Sequence, residues 1–155
     1  MFFHYFQWVE STELSRIIRE SLWLFPVTEA IHLVGLCMLG GAVLVVDLRM
    51  LGFGLKTTSI AELDRQARPW LLGAIGLMLA TGFFLFFSEA VKCYYNHAFW
   101  VKITTIPLAI LFSLVVRDRF ARRATYTSAY TKWIGTADML LWFIVAAGGR
   151  WIGFS

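Results

Sequence analysis

The stretch SLWLFPVTEAIHLVGLCMLGGAVLVVDLRMLG, residues 21–52, decides the fold. From Leu22 to Val46 its only charged or imidazole side chains are Glu29 and His32. About 20 apolar residues in a helix cross the hydrocarbon core of a bilayer. The stretch therefore predicts a first transmembrane span over residues 22–46. Three more segments meet the same length requirement: residues 70–89, 98–116 and 133–153. Their apolar runs are continuous and lack the alternation of barrel strands, so helices are expected.

Composition points the same way. The chain has 155 residues, 59% of them hydrophobic and 15% charged, with a mean hydropathy of +0.67. A soluble domain of this length has too little interior to hide so much apolar surface, so lipid must solvate much of it. Short connections imply one domain over residues 1–155: an all-α integral membrane bundle of four up-and-down helices. Gly35, Gly40, Gly41 and Ala42 in the first span, and Gly73, Gly76 and Ala80 in the second, are expected to let helices approach. Gly149 and Gly153 form one GxxxG, and Pro107 is expected to kink the third span. Cys37 and Cys93 fit no metal or redox spacing, and their positions argue against a disulfide.

Residues 1–10, MFFHYFQWVE, lack the basic n-region of a secretory signal, and no small-residue cleavage site follows. Residues 11–21 are expected to form an amphipathic interfacial helix. Leu14, Ile17 and Ile18 share one face, and Glu13, Arg16 and Glu20 share the other. Trp23, Trp70, Trp100, Trp133 and Trp151 fall at expected span ends, where indoles favour the headgroup level. Only Trp142 falls mid-span.

The net charge of +4 reads as topology and attraction to anionic lipid, with no nucleic-acid partner implied. Arg49, Lys56, Arg65 and Arg68 lie between spans one and two. Arg117, Arg119, Arg122, Arg123 and Lys132 lie between spans three and four, whereas Lys92 alone lies between spans two and three. The positive-inside rule then makes the two basic loops cytoplasmic and both termini external, periplasmic in a bacterial inner membrane.

That orientation gathers polar groups in the outer half. At about 1.5 Å per residue, Glu29 lies ~10 Å and His32 ~15 Å below the outer end of span one. Lys102 lies ~6 Å below the outer end of span three, and Arg150 ~5 Å below that of span four. Glu89 and His97 flank them at the surface. On the cytoplasmic side Asp47 and Asp138 are the buried candidates, with Arg49 and Arg117 near them. Structural roles compete throughout: Lys102 and Arg150 can snorkel to headgroups, and Glu29 can lock to either cation.

The sharper expectation is a haem b site. His32 is deep enough to ligate iron, Glu29 would bond the imidazole N–H, and Lys102 and Arg150 would meet propionates. Met78 lies at comparable depth as a candidate second ligand. Glu29-x-x-His32 also has the spacing of half a di-iron site, but the chain has no second Glu-x-x-His. A structural zinc site lacks Cys/His pairs, and copper through His32 with Met38 or Met78 is chemically possible without support from spacing. No phosphate loop or nucleophile elbow is present.

Residues 21–52 resemble the opening of a bacterial inner-membrane family of unknown function. The resemblance continues through KCYYNHAFWVKI (residues 92–103) to GGRWIGF (residues 148–154). It implies a small four-helix membrane protein. More remotely, the first-span histidine and the aromatic-x-Lys opening span three are similar to copper-resistance D-type and protoporphyrinogen-oxidase-like haem membrane proteins. The latter likeness implies haem at His32 and a matching lysine at Lys102. Trp100 stands where that group commonly has a second histidine.

Three functions follow as expectations. The first is a haem b protein passing electrons, with a periplasmic partner or quinone. The second is a non-catalytic subunit anchoring a larger respiratory or dehydrogenase complex in membrane lipid. The third is transport of copper or a small solute.

Overall fold

The computed structural model describes residues 2–152, and every regular element among them is a helix. Helices α1 (Phe2–Glu10) and α2 (Glu13–Glu20) precede the first long helix, α3 (Leu24–Leu51). The long α4 (Ile60–Ser88) and the short α5 (Ala90–Tyr95) follow. The third long segment comprises α6 (His97–Leu111), a π-helical stretch (Phe112–Arg117) and α7 (Asp118–Arg123). Helix α8 (Ala129–Ile152) is the last described element.

Three segments, Leu24–Leu51, Ile60–Ser88 and His97–Arg123, are long and apolar enough to cross a membrane. The fourth expected span is a helix too, but α8 is not among those three. Asp138 and Arg150 lower its apolar character. Gly153, the second glycine of the expected GxxxG, lies outside the described residues.

The long helices overrun the expected spans on the basic-loop side, and local chemistry says why. Ser59 caps α4, its hydroxyl accepting from the Glu62 N–H at 3.2 Å. Ser-x-x-Glu is a helix-start signature, so α4 begins well before Trp70. Helix α3 stops at Gly52, whose φ of 94° is left-handed. The Phe53 N–H then reaches back to the Leu48 carbonyl at 2.8 Å, closing the last turn.

Helix α3 packs against α4 and α8, α6 packs against α8, and α7 returns to α4. Some expected contact glycines do not serve this packing: a Cβ on Gly40, Gly41, Gly73 or Gly76 would meet nothing within 4 Å. Of the expected set Gly35 does make a close approach, and Gly135 and Gly148 join it. A Cβ on Gly135 would lie 3.1 Å from the Asp47 carbonyl and 3.2 Å from the Met50 Cβ, both on α3. Leucine at Gly135 would overfill the α3–α8 contact, so Gly135→Leu is expected to destabilise by about 1–3 kcal/mol. Its lowered unfolding midpoint in detergent, against an unchanged midpoint for Gly41→Leu, checks this.

The interior is layered. At the end away from the basic loops, α1 and α5 close over α4 and α6 through Phe6, Val9, Ala90, Cys93 and Phe99. Phe86 and Phe99 stack there with centroids 5.6 Å apart. Glu10 ties this lid together, pairing with Arg19 at 2.8 Å and accepting from the Val91 N–H at 2.7 Å. Helix α2 buries Ser15 and Ile18, while Leu14 and Ile17 stay exposed, unlike the expected apolar face. The Ser15 hydroxyl donates to the Phe87 carbonyl at 2.7 Å, which turns that face toward α4. A middle layer of Leu39, Ala42, Val43, Leu71 and Ala74 is wholly apolar. Both cysteines are free thiols, Cys37 exposed and Cys93 buried in the lid. Burial, with the Glu89 carboxylate nearby, pushes the Cys93 thiol up to about 11, so it stays protonated near neutral pH.

Candidate functional site

Between the lid and the apolar layer, α3 turns His32 toward α4. The His32 Nδ1 lies 2.7 Å from the Thr81 hydroxyl oxygen. Thr81 in turn donates its only proton to the Leu77 carbonyl, also at 2.7 Å. With that proton engaged the hydroxyl is left to accept, an arrangement that suits a neutral imidazole protonated on Nδ1. The Nε2 lone pair is then left for a proton or a metal. Gly82 lies beside the ring: a Cβ there would sit 3.5 Å from His32 Cε1.

Glu29, expected to orient His32, is exposed on the outside of α3, and Thr81 takes that task. Helical spacing put the two residues one turn apart, but His32 turns into the α3–α4 seam while Glu29 turns away. Lys102 is partly buried across α8, its ammonium 3.2 Å from where a Gly149 Cβ would be. It is an electrostatic neighbour of His32. The structure thus brings His32 and Lys102 into one region from α3 and α6. Met78 packs on α3 one turn further in, its sulfur 3.3 Å from a Cβ built on Gly35. Arg150 is exposed near the end of α8, and His97 is exposed at the start of α6.

The other half holds a second polar centre. Arg117, counted as a loop charge in the sequence, is 0% exposed, as are Asp47, Asp64 and Asp138, with Asp118 at 2%. The Arg117 guanidinium reaches all four carboxylates: Asp118 at 3.1 Å, Asp64 and Asp138 at 3.4 Å, Asp47 at 3.8 Å. The π-helical stretch presents Ser113 and Arg117 on one side of the third segment. The Ser113 hydroxyl donates to Asp138 at 2.6 Å and accepts from the Trp142 indole N–H at 2.8 Å. That gives the mid-span tryptophan its partner. Arg68 approaches Asp118 at 3.5 Å and Arg122 approaches Asp64 at 3.8 Å, each from the rim. Arg49, the other cation expected near Asp47, turns instead to the Thr58 carbonyl and the Thr127 hydroxyl, at 2.9 and 3.0 Å. It joins the two basic connections.

Asp47, Asp138 and Arg117 were visible as candidates in the sequence, whereas Asp64, Asp118 and Ser113 were not. Asp64 has a signal, because it falls on the buried stripe Ile60, Leu63, Leu71, Ala74 of α4. That stripe emerges only once the helix is started at Ser59. Among the described residues no group of three or more His, Cys, Asp or Glu is gathered to hold a metal ion.

The family described as "Family of unknown function (DUF6644)" matches residues 5–155. No curated protein and no solved structure matches the chain.

Proposed function

We propose, for a chain that belongs to the DUF6644 family of unknown function, a four-helix membrane protein that binds haem b at His32 and passes electrons. The observation that carries this is the Thr81 hydrogen bond, which orients the His32 ring and suits the tautomer in which Nε2 would be the ligand atom. Metal-bound histidines characteristically donate their other N–H in this way. Lys102, an electrostatic neighbour of the ring, would hold a propionate, and Arg150 would serve as a second cation nearer the surface. Met78 is a packing partner of Gly35, so His32 is taken as the sole protein ligand. Haem would supply one-electron chemistry; the chain's own residues would orient the imidazole, meet the propionate charge and close the site under the aromatic lid.

The test is the absorption spectrum of the purified full chain after dithionite reduction. A Soret band with one broad visible band, as for ferrous haem with a single axial ligand, is expected. No bound chromophore in protein from haem-replete cells would overturn the proposal.

We infer a bacterial inner membrane with both termini periplasmic; the exposed Lys56, Arg65, Arg119, Arg122, Arg123 and Lys132 of the two basic connections support that orientation. A periplasm-dependent reporter fused after Ser155 is expected to be active; activity of a cytoplasm-dependent reporter there would reverse the topology.

A second reading rests on Glu29. It is exposed about 8 Å along α3 from Leu24, at a rise of 1.5 Å per residue. A carboxylate facing lipid is costly, so a partner subunit covering α3 would explain it. Co-purification of a second chain in mild detergent, lost in Glu29→Leu, supports an accessory-subunit role; a lone stable species counts against it.

A further inference from the structure

We propose that Asp47 is a proton-binding site: a buried neutral carboxyl whose proton balances three arginines against four aspartates. Every charged group that faces the cluster enters the count. Helix α4 supplies Asp64 and Arg68, the third long segment supplies Arg117, Asp118 and Arg122, α8 supplies Asp138, and α3 supplies Asp47 alone. Arg49 on α3 is turned away to Thr58 and Thr127.

Three of the carboxylates have an evident counter-charge. Asp64 has Arg122 and Asp118 has Arg68, each beyond its share of Arg117. Asp138 has Arg117 at 3.4 Å and accepts from Ser113. Asp47 differs from all of them. It is fully buried, its nearest cation is 3.8 Å away, and neither of its oxygens accepts from a donor; the Asp138 carboxylate beside it can take a hydrogen bond only if Asp47 carries a proton. A carboxylate so placed would be an uncompensated charge in a low-dielectric interior, and such a group takes up a proton instead. Three arginines and four aspartates leave one negative charge, and one proton cancels it.

The surroundings give this proton one side to exchange with. Toward His32 the cluster is closed by Trp142 and by the apolar layer of Leu39, Val43 and Leu71. Toward the basic loops, Asp64 and Asp118 are met by Arg122 and Arg68. Both arginines line an open groove with Arg65 and Pro69. Asp47 therefore exchanges its proton with the basic-loop side, through the carboxylates that share Arg117. This stands apart from haem binding and does not depend on it.

The test is infrared difference spectroscopy of the full chain in lipid nanodiscs at neutral pH. Wild type is expected to show a protonated-carboxyl C=O band that shifts in D2O. Asp47→Asn, an isostere of the protonated form, should fold normally and lose that band. Glu29→Gln should keep it. Asp64→Asn provides a second check, since it should slow the deuterium shift while retaining the band. Absence of the band in wild type, or its persistence in Asp47→Asn, would overturn the assignment.

Discussion

Arg117→Met is expected to lower stability by about 3–5 kcal/mol, the range for removing one partner of a buried ion pair. Methionine keeps much of the side-chain volume, so the loss isolates the charge. Four aspartates within 3.8 Å of the guanidinium, none more than 2% exposed, would lose their shared cation. They come from α3, α4, α7 and α8, so Arg117 links every long segment at one level of the fold. Arg119→Met, two residues on and exposed, should change stability by no more than about 0.5 kcal/mol. Unfolding midpoints of the two variants in the same detergent check this. A similar, small effect for both would mean that the cluster does not hold the helices together.

The other large effect is at His32. His32→Ala should abolish haem binding, because the proposal gives iron no other ligand from the protein. Thr81→Val should keep the shape of the side chain while removing the acceptor for Nδ1–H. Loss of such an orienting partner typically weakens a metal site about 10–100-fold. Haem affinity should therefore fall in the order wild type, Thr81→Val, His32→Ala. An unchanged affinity in Thr81→Val would show that the hydrogen bond positions nothing, and haem retained by His32→Ala would place the ligand elsewhere.

The helices were legible in the sequence wherever the signal was apolar length. Residues 22–46, 70–89 and 98–116 all lie within long helical segments, apart from the turn into α3 and Glu89 at the end of α4. Their extensions on the basic-loop side were less legible, because there the apolar run ends and helical form depends on caps and buried stripes. The Ser59–Glu62 cap was the available signal for α4. Missing it hid Asp64, and with it the full extent of the buried charge centre. Arg117 reads as a topological charge by position and is instead the hub of that centre. No hydropathy profile separates a solvated loop arginine from one ringed by aspartates.

Helical spacing and depth grouped Glu29 with His32, but neither says which of the two turns toward a neighbouring helix. The Thr81 partner across α4 could not be found from spacing within α3. Lys102 was legible because its helix, depth and neighbour all follow from the span order. The choice between packing glycines and outward-facing ones was not, since both satisfy the same small-residue pattern.

Titration of haem into the haem-depleted full chain in lipid nanodiscs reads out a haem site at His32. Wild type should show saturable binding that ends at a stoichiometric complex, with the single broad visible band of singly ligated ferrous haem on reduction. His32→Ala should show only the unsaturable partition of haem into lipid. Identical, unsaturable curves for the two proteins would mean that His32 holds no haem.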